Sequence, residues 1–81
     1  MAKMQHTLKV QREYFQAIAD NRKTFEARYD DRNYEVGDWV VFREVNPIKW
    51  TGREIGPYEI GYILKGGQFG IEKNWCVFTL K

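Results

Sequence analysis

Only one segment of this sequence has the hydrophobic period of a helix, and this restricts the chain to a mostly β fold. Within residues 11–21 the apolar positions follow i, i+1, i+4, i+5 spacing and are Tyr14, Phe15, Ile18 and Ala19. Asn21 stands where this helix should end, and Asn adopts the left-handed conformation of a helix C-terminus more readily than any residue except Gly. We therefore predict a single helix of about three turns near the N-terminus.

The other ordered segments have the patterns of β-strands. In residues 23–29, strict alternation places Phe25, Ala27 and Tyr29 on one side and Thr24, Glu26 and Arg28 on the other. Further strands are predicted at residues 5–10, 39–45, 58–64 and 75–80, and an irregular connection is predicted at residues 46–54. A chain of 81 residues with this pattern predicts one mostly β (α+β) domain over residues 1–81, a strongly curved sheet or small barrel.

Composition excludes several classes of protein. Apolar residues make up 43% and aromatics 16% of the chain, which is enough to fill a core and argues against disorder. A net charge of +2 permits nucleic acid as a partner without requiring it. Cys76 and His6 are the only residues of their types and are distant in sequence, so we expect no disulfide, metal or cofactor. No window approaches the ~20 apolar residues of a membrane span, and we expect a reduced, cytoplasmic protein for which a monomer is plausible.

The charged side of residues 23–29 has two interpretations. A carboxylate at Glu26, flanked by Lys23 and Arg28, stays ionised and leaves cationic donors for a phosphate or a polar base edge. Alternatively, these side chains form an ordinary solvent face whose charges pair with neighbouring strands. The residues alone leave both interpretations open.

The segment Lys23-Thr24-Phe25-Glu26-Ala27-Arg28 resembles the ASCH signature, Gly-x-Lys-x-x-Glu-x-Arg, which follows the first helix of that family. Flanking residues extend the resemblance over nearly the whole chain; they include His6, Asp31-Arg32, Glu44 and Thr51-Gly52-Arg53. Asn21 replaces the signature Gly and can keep its left-handed backbone. The similarity is to a small bacterial and phage branch of unknown function.

The resemblance implies a PUA-like β-barrel of about five strands with a cleft between the barrel and the helix. Lys23, Glu26 and Arg28 would line the cleft, and Asp31 and Arg32 would lie at its rim. The implied ligand is RNA or a nucleotide, with Lys23 and Arg28 on phosphate and Glu26 on a base amino group or on Arg28.

Two residues outside the signature are further candidates for the site. Trp50 lies between Lys49 and Arg53 and could stack on an unpaired base or cap one end of the barrel. His6 could be a hydrogen-bonded core residue or act beside the cleft.

Two alternative functions remain. Some ASCH relatives are amidohydrolases that deacylate a modified cytidine such as N4-acetylcytidine, and here Lys23, Thr24 and Glu26 would be the catalytic residues. Their Thr nucleophile stands three residues after the signature Lys, where this chain has Glu26. Thr24 cannot simply exchange roles with Glu26, because the two residues are roughly 6.6–7 Å apart along a strand.

The second alternative is a protein-interaction or regulatory domain that uses a sheet edge or an aromatic patch.

Overall fold

A curved five-stranded sheet and one helix make up the fold of residues 3–81, which are the residues described by the computed structural model. The elements are β1 (Gln5–Gln11), α1 (Arg12–Ala19), β2 (Phe25–Tyr29), β3 (Trp39–Val45), β4 (Trp50–Lys65) and β5 (Trp75–Leu80). The strand order is β1-β3-β4-β5-β2. β1 runs parallel to β3, and the other neighbours are antiparallel. The predicted mostly β class is confirmed.

β1 and β2 are the two outer strands, and the hydrogen-bonded sheet is not closed into a barrel. Its curvature comes mainly from β4, a 16-residue strand that pairs first with β3 and then with β5. Register shifts interrupt both pairings, as expected where bulges bend a strand. At Gly56 (φ +117°) a Cβ atom would lie 2.8 Å from the carbonyl oxygen of Val40, so only Gly fits this close approach.

The predicted irregular connection at residues 46–54 is wrong in its second half. β4 already begins at Trp50, which pairs with Val45 of β3. Pro47 and Gly52 suggested a break, but Pro47 lies before the strand and Gly52 (φ +94°) lies where the pairing register shifts.

The helix lies within the predicted segment, over Arg12–Ala19, but has about two turns rather than three. It buries Phe15 and Ile18, whereas Tyr14 and Ala19 of the predicted apolar face are exposed. Asn21 has φ +60°, the left-handed conformation expected after the helix end. The helix packs on a core drawn from all sheet strands except β2, together with one loop residue: Leu8, Val10, Tyr34, Val40, Phe42, Ile60, Cys76 and Phe78. None of the helical structure within residues 3–81 is long and apolar enough to span a membrane.

β2 has the predicted alternation, but its charged side faces inward. Glu26 is 4% exposed, whereas Phe25 and Tyr29 on the opposite side are 46% and 52% exposed. The interpretation of this charged side as a solvent face is therefore wrong. β2 begins at Phe25, so Lys23 and Thr24 precede the strand rather than belong to it.

Candidate functional site

A cleft of about 560 Å³ lies where the two outer strands of the sheet approach each other. Its walls come from the end of β1, the first turn of α1, β2, the loop after β2 and the start of β5. Lys23, Glu26 and Arg28 line this cleft together with Asp31 and Arg32. The structure thus brings the five predicted signature and rim residues into one place.

Glu26 is held between two cations at the base of the cleft. Its Oε1 accepts from Nζ of Lys23, and its Oε2 accepts from Nε of Arg28 at 2.7 Å. The Glu26 side chain is only 6% exposed, so the two cations replace the water that it loses on burial. With one cation on each carboxylate oxygen, Glu26 fixes the positions of both Lys23 and Arg28.

The side chains of Arg28 and Arg32 connect β2 and the loop after it to β1, the strand at the other end of the sheet. Nη2 of Arg28 donates to the carbonyl oxygen of Lys9 at 2.5 Å, and Nη1 of Arg32 donates to that of Thr7 at 3.2 Å. Both carbonyls belong to β1, whose other edge is paired with β3. The guanidinium groups therefore occupy backbone acceptors on the unpaired edge of β1.

Exposed aromatic rings surround these charges. Nζ of Lys23 lies 5.6 Å from the ring centre of Tyr14 and 5.4 Å from that of Phe25, within the range of cation–π attraction. Tyr29 and Trp75 meet edge to face, with ring centres 6.1 Å apart and planes at 89°. All four rings line the cleft, and between 38% and 52% of each residue is exposed.

The net positive charge of the chain is concentrated at the cleft. Its lining contains four cationic side chains, Lys9, Lys23, Arg28 and Arg32, and two acidic ones, Glu26 and Asp31. Their net charge of +2 equals the net charge of the whole chain, so charges elsewhere in the chain balance. An anion is therefore attracted to this part of the molecule in particular.

His6 lies behind the cleft wall and does not line the cleft. Its Nε2 lies 2.8 Å from Oδ2 of the buried Asp38, and its ring packs edge-on against Tyr34, with ring centres 4.8 Å apart. Tyr34 does line the cleft; burial raises its pKa, against the opposing effect of Arg28 and Arg32. His6 thus supports a wall residue from within the core.

Trp50 and Thr24 also lie outside the cleft lining. Trp50 is half exposed on β4, where its Nε1 donates to the carbonyl oxygen of Arg53 at 3.1 Å and the Arg43 guanidinium lies 4.3 Å from its ring centre. Thr24 is exposed, and its carbonyl oxygen accepts from the backbone amide of Leu80. Neither side chain therefore lies in the cleft with Lys23 and Glu26.

Sequence reasoning missed part of the lining, namely Lys9, Tyr14, Phe25, Tyr29, Tyr34 and Trp75. One signal was available: in residues 23–29 one side is aromatic and the other is charged, so either side could face inward. Within residues 3–81, no three His, Cys, Asp or Glu side chains are grouped so that they could hold a metal ion.

Comparison with known proteins identifies relatives but no activity. Residues 5–80 match the family described as "Domain of unknown function (DUF3850)". A curated relative, an "Uncharacterized 12.9 kDa protein in GpA 3'region" of Escherichia phage P2, is 38% identical over 55 residues. The match covers 68% of this chain and 50% of the relative, so the chain spans about half the length of that phage protein. The extent of the family match shows that the chain belongs to DUF3850.

Proposed function

We propose that this member of the DUF3850 family binds RNA or a nucleotide-like ligand in the cleft between β1, β2 and α1. One observation carries the proposal: the cleft combines a net charge of +2 with four exposed aromatic rings. A nucleotide has an anionic phosphate and a flat base, and binding sites for unpaired nucleotides use cations for the first and aromatic rings for the second.

Arg28 is the best-placed phosphate ligand. A guanidinium group has five N–H donors, and the bonds to Glu26 and to the Lys9 carbonyl use two of them. The same two bonds fix the orientation of the group, so little rotamer entropy is left to lose when a phosphate binds. Lys9 and Arg32 add charge at the rim of the cleft.

The exposed rings supply positions for the base. The ring centres of Tyr14 and Phe25 lie 5.6 and 5.4 Å from the Lys23 ammonium, and Tyr29 and Trp75 also line the cleft. Stacking of a base on one such ring contributes about 1–3 kcal/mol and depends little on base identity.

We also propose that the fold is an opened PUA-like barrel of the ASCH type. The proposal is supported by the convergence of Lys23, Glu26 and Arg28, by the left-handed Asn21 before them, and by the approach of the two outer strands. Binding is favoured over an amidohydrolase reaction because Thr24 lies outside the cleft and both Glu26 oxygens are engaged. A Thr nucleophile needs an adjacent base.

Titration with short single-stranded RNA at low and moderate salt tests the proposal. Lys9→Gln removes a cleft charge while keeping the backbone carbonyl that Arg28 uses, and we expect it to weaken binding about 3- to 10-fold at low salt. Losing one phosphate contact should also reduce the salt slope by about 0.7. Lys49→Gln, an exposed cation outside the cleft lining, is the matched control and should change little.

Two results would contradict this function. One is the absence of binding below the millimolar range at low salt. The other is an equal loss of affinity in Lys9→Gln and Lys49→Gln, since it would show that the cleft does not hold the RNA. Circular dichroism of both variants checks that each remains folded.

A further inference from the structure

We infer that the ligand is an unpaired nucleic-acid strand of more than one nucleotide, rather than a free mononucleotide. The inference rests on the proposed function and specifies its ligand. It comes from three of the cleft's aromatic rings, which form one stacking surface along the outer side of β2 and β5. Phe25, Tyr29 and Trp75 form this surface, which we call the outer aromatic face.

Strand register places these three rings on one side of the sheet. Tyr29 is the cross-strand partner of Trp75 in the antiparallel β2–β5 pair, and directly opposite residues share a face. Phe25 is on the same side as Tyr29 because side chains alternate along a strand. The small Ala27 lies between them, opposite Val77.

The rings of this face are too far apart for a single base to stack on all of them. Tyr29 is four residue steps along the strand from Phe25, a Cα distance of about 13 Å at 3.3–3.4 Å per step. Stacked aromatic rings have centres about 4.5–7 Å apart. A base stacked face to face on Phe25 therefore leaves the Tyr29–Trp75 pair free for a second base.

The exposure of this face is itself unusual. β2 turns its charged side toward Lys9 and the core and leaves its aromatic side at 46% (Phe25) and 52% (Tyr29) exposed. The aromatic side of β2, which most strands would bury, thus stays exposed after folding. Exposed aromatic surface of this kind is typical of binding sites.

Charge and continuity favour a nucleic acid as the occupant over a protein. The three rings belong both to the outer aromatic face and to the lining of the cleft, whose net charge is +2. An apolar protein surface that covered the rings would also cover the adjacent cations and remove their hydration, which is costly. A phosphate backbone instead pairs with these cations while its bases stack on the rings.

The test compares uridine 5′-monophosphate with oligouridylates of increasing length by fluorescence titration. We expect wild-type affinity to rise about tenfold from the mononucleotide to the longer chains, the gain from one additional stacked base. The double variant Tyr29→Ala/Trp75→Ala should abolish this rise with chain length. Tyr62→Ala is the control: Tyr62 is an exposed aromatic of β4 outside the cleft, and its removal should leave the length dependence intact.

The possible failures are distinguishable. If mononucleotide and oligonucleotides bind equally tightly, or if the double variant keeps the length dependence, the inference fails and the proposed function stands. If none of these ligands binds, the proposed function fails and the inference with it. If sedimentation shows wild-type dimers that the double variant loses, while the length dependence is absent, the face docks a second copy and the inference is overturned.

Discussion

Replacing Glu26 by Gln tests the two-cation arrangement at the base of the cleft. The substitution keeps the shape of the side chain but leaves Lys23 and Arg28 without a counter-charge. Hydrogen bonds to charged groups contribute about 1.5–3 kcal/mol each, and breaking a buried ion pair from one side costs about 3–5 kcal/mol. The side chains of Lys23 and Arg28 retain 18% and 26% exposure and can regain some water, so we expect a loss at or below the lower end of the buried-pair range.

The expected loss for Glu26→Gln is therefore about 2–3 kcal/mol of unfolding free energy, a large part of the ~5–15 kcal/mol typical of a domain. Urea denaturation followed by Trp fluorescence measures it directly, and the Tm should fall by about 10–20 °C.

Glu54→Gln provides the matched control, because Glu54 pairs with Arg43 at 2.9 Å while both side chains are more than 40% exposed. Exposed pairs contribute about 0–1 kcal/mol. A Glu26→Gln loss within about 0.5 kcal/mol of the Glu54→Gln loss would refute the reasoning, since burial of the Glu26 carboxylate would then not matter.

The remaining predictions concern three other buried polar groups. Burial alone would raise the pKa of Asp38, but hydrogen bonds from His6 and from backbone amides lower it below 3.8. The stability that the ionised Asp38 contributes is thus present above pH 3.8 and lost as the pH falls. In thermal melts at decreasing acidic pH, the Tm of Asp38→Asn should therefore fall less steeply than that of the wild type. Equal slopes of Tm against pH would contradict this. Burial raises the pKa of the Cys76 thiol, so the native protein should react with a thiol reagent about 100-fold more slowly than the urea-unfolded protein, and equal rates would show that the thiol is accessible. Thr51→Val removes a 2.7 Å hydrogen bond to the buried Glu44 and should cost about 1–2 kcal/mol in urea denaturation, with no change being the contrary result.

Local periodicity was sufficient for the helix and for most strands of this chain. The helical spacing correctly predicted that Phe15 and Ile18 are buried, although Tyr14 and Ala19 are exposed, and Asn21 predicted the helix end. Alternation in residues 5–10 predicted that His6, Leu8 and Val10 share one side of β1, and all three are buried. These features depend on neighbours a few residues away, which a sequence displays directly.

Features that depend on distant partners could not be read in the same way. Glu26 is buried because Arg28 also reaches the Lys9 carbonyl, 19 residues away in sequence, and so holds the charged side of β2 inward. The first half of β4 is a strand because β3 pairs with it, in spite of Gly52. The partner of His6 is Asp38, 32 residues later. Tertiary pairing decides each of these cases.

The bonds from Arg28 and Arg32 to the β1 carbonyls also affect how copies of the molecule behave at high concentration. An outer strand with free backbone groups is a template on which another chain can add a strand and begin to aggregate. On β1, the acceptors at Thr7 and Lys9 are already occupied by side chains of the same molecule. The two arginines therefore give this small open sheet a built-in resistance to edge-to-edge polymerisation.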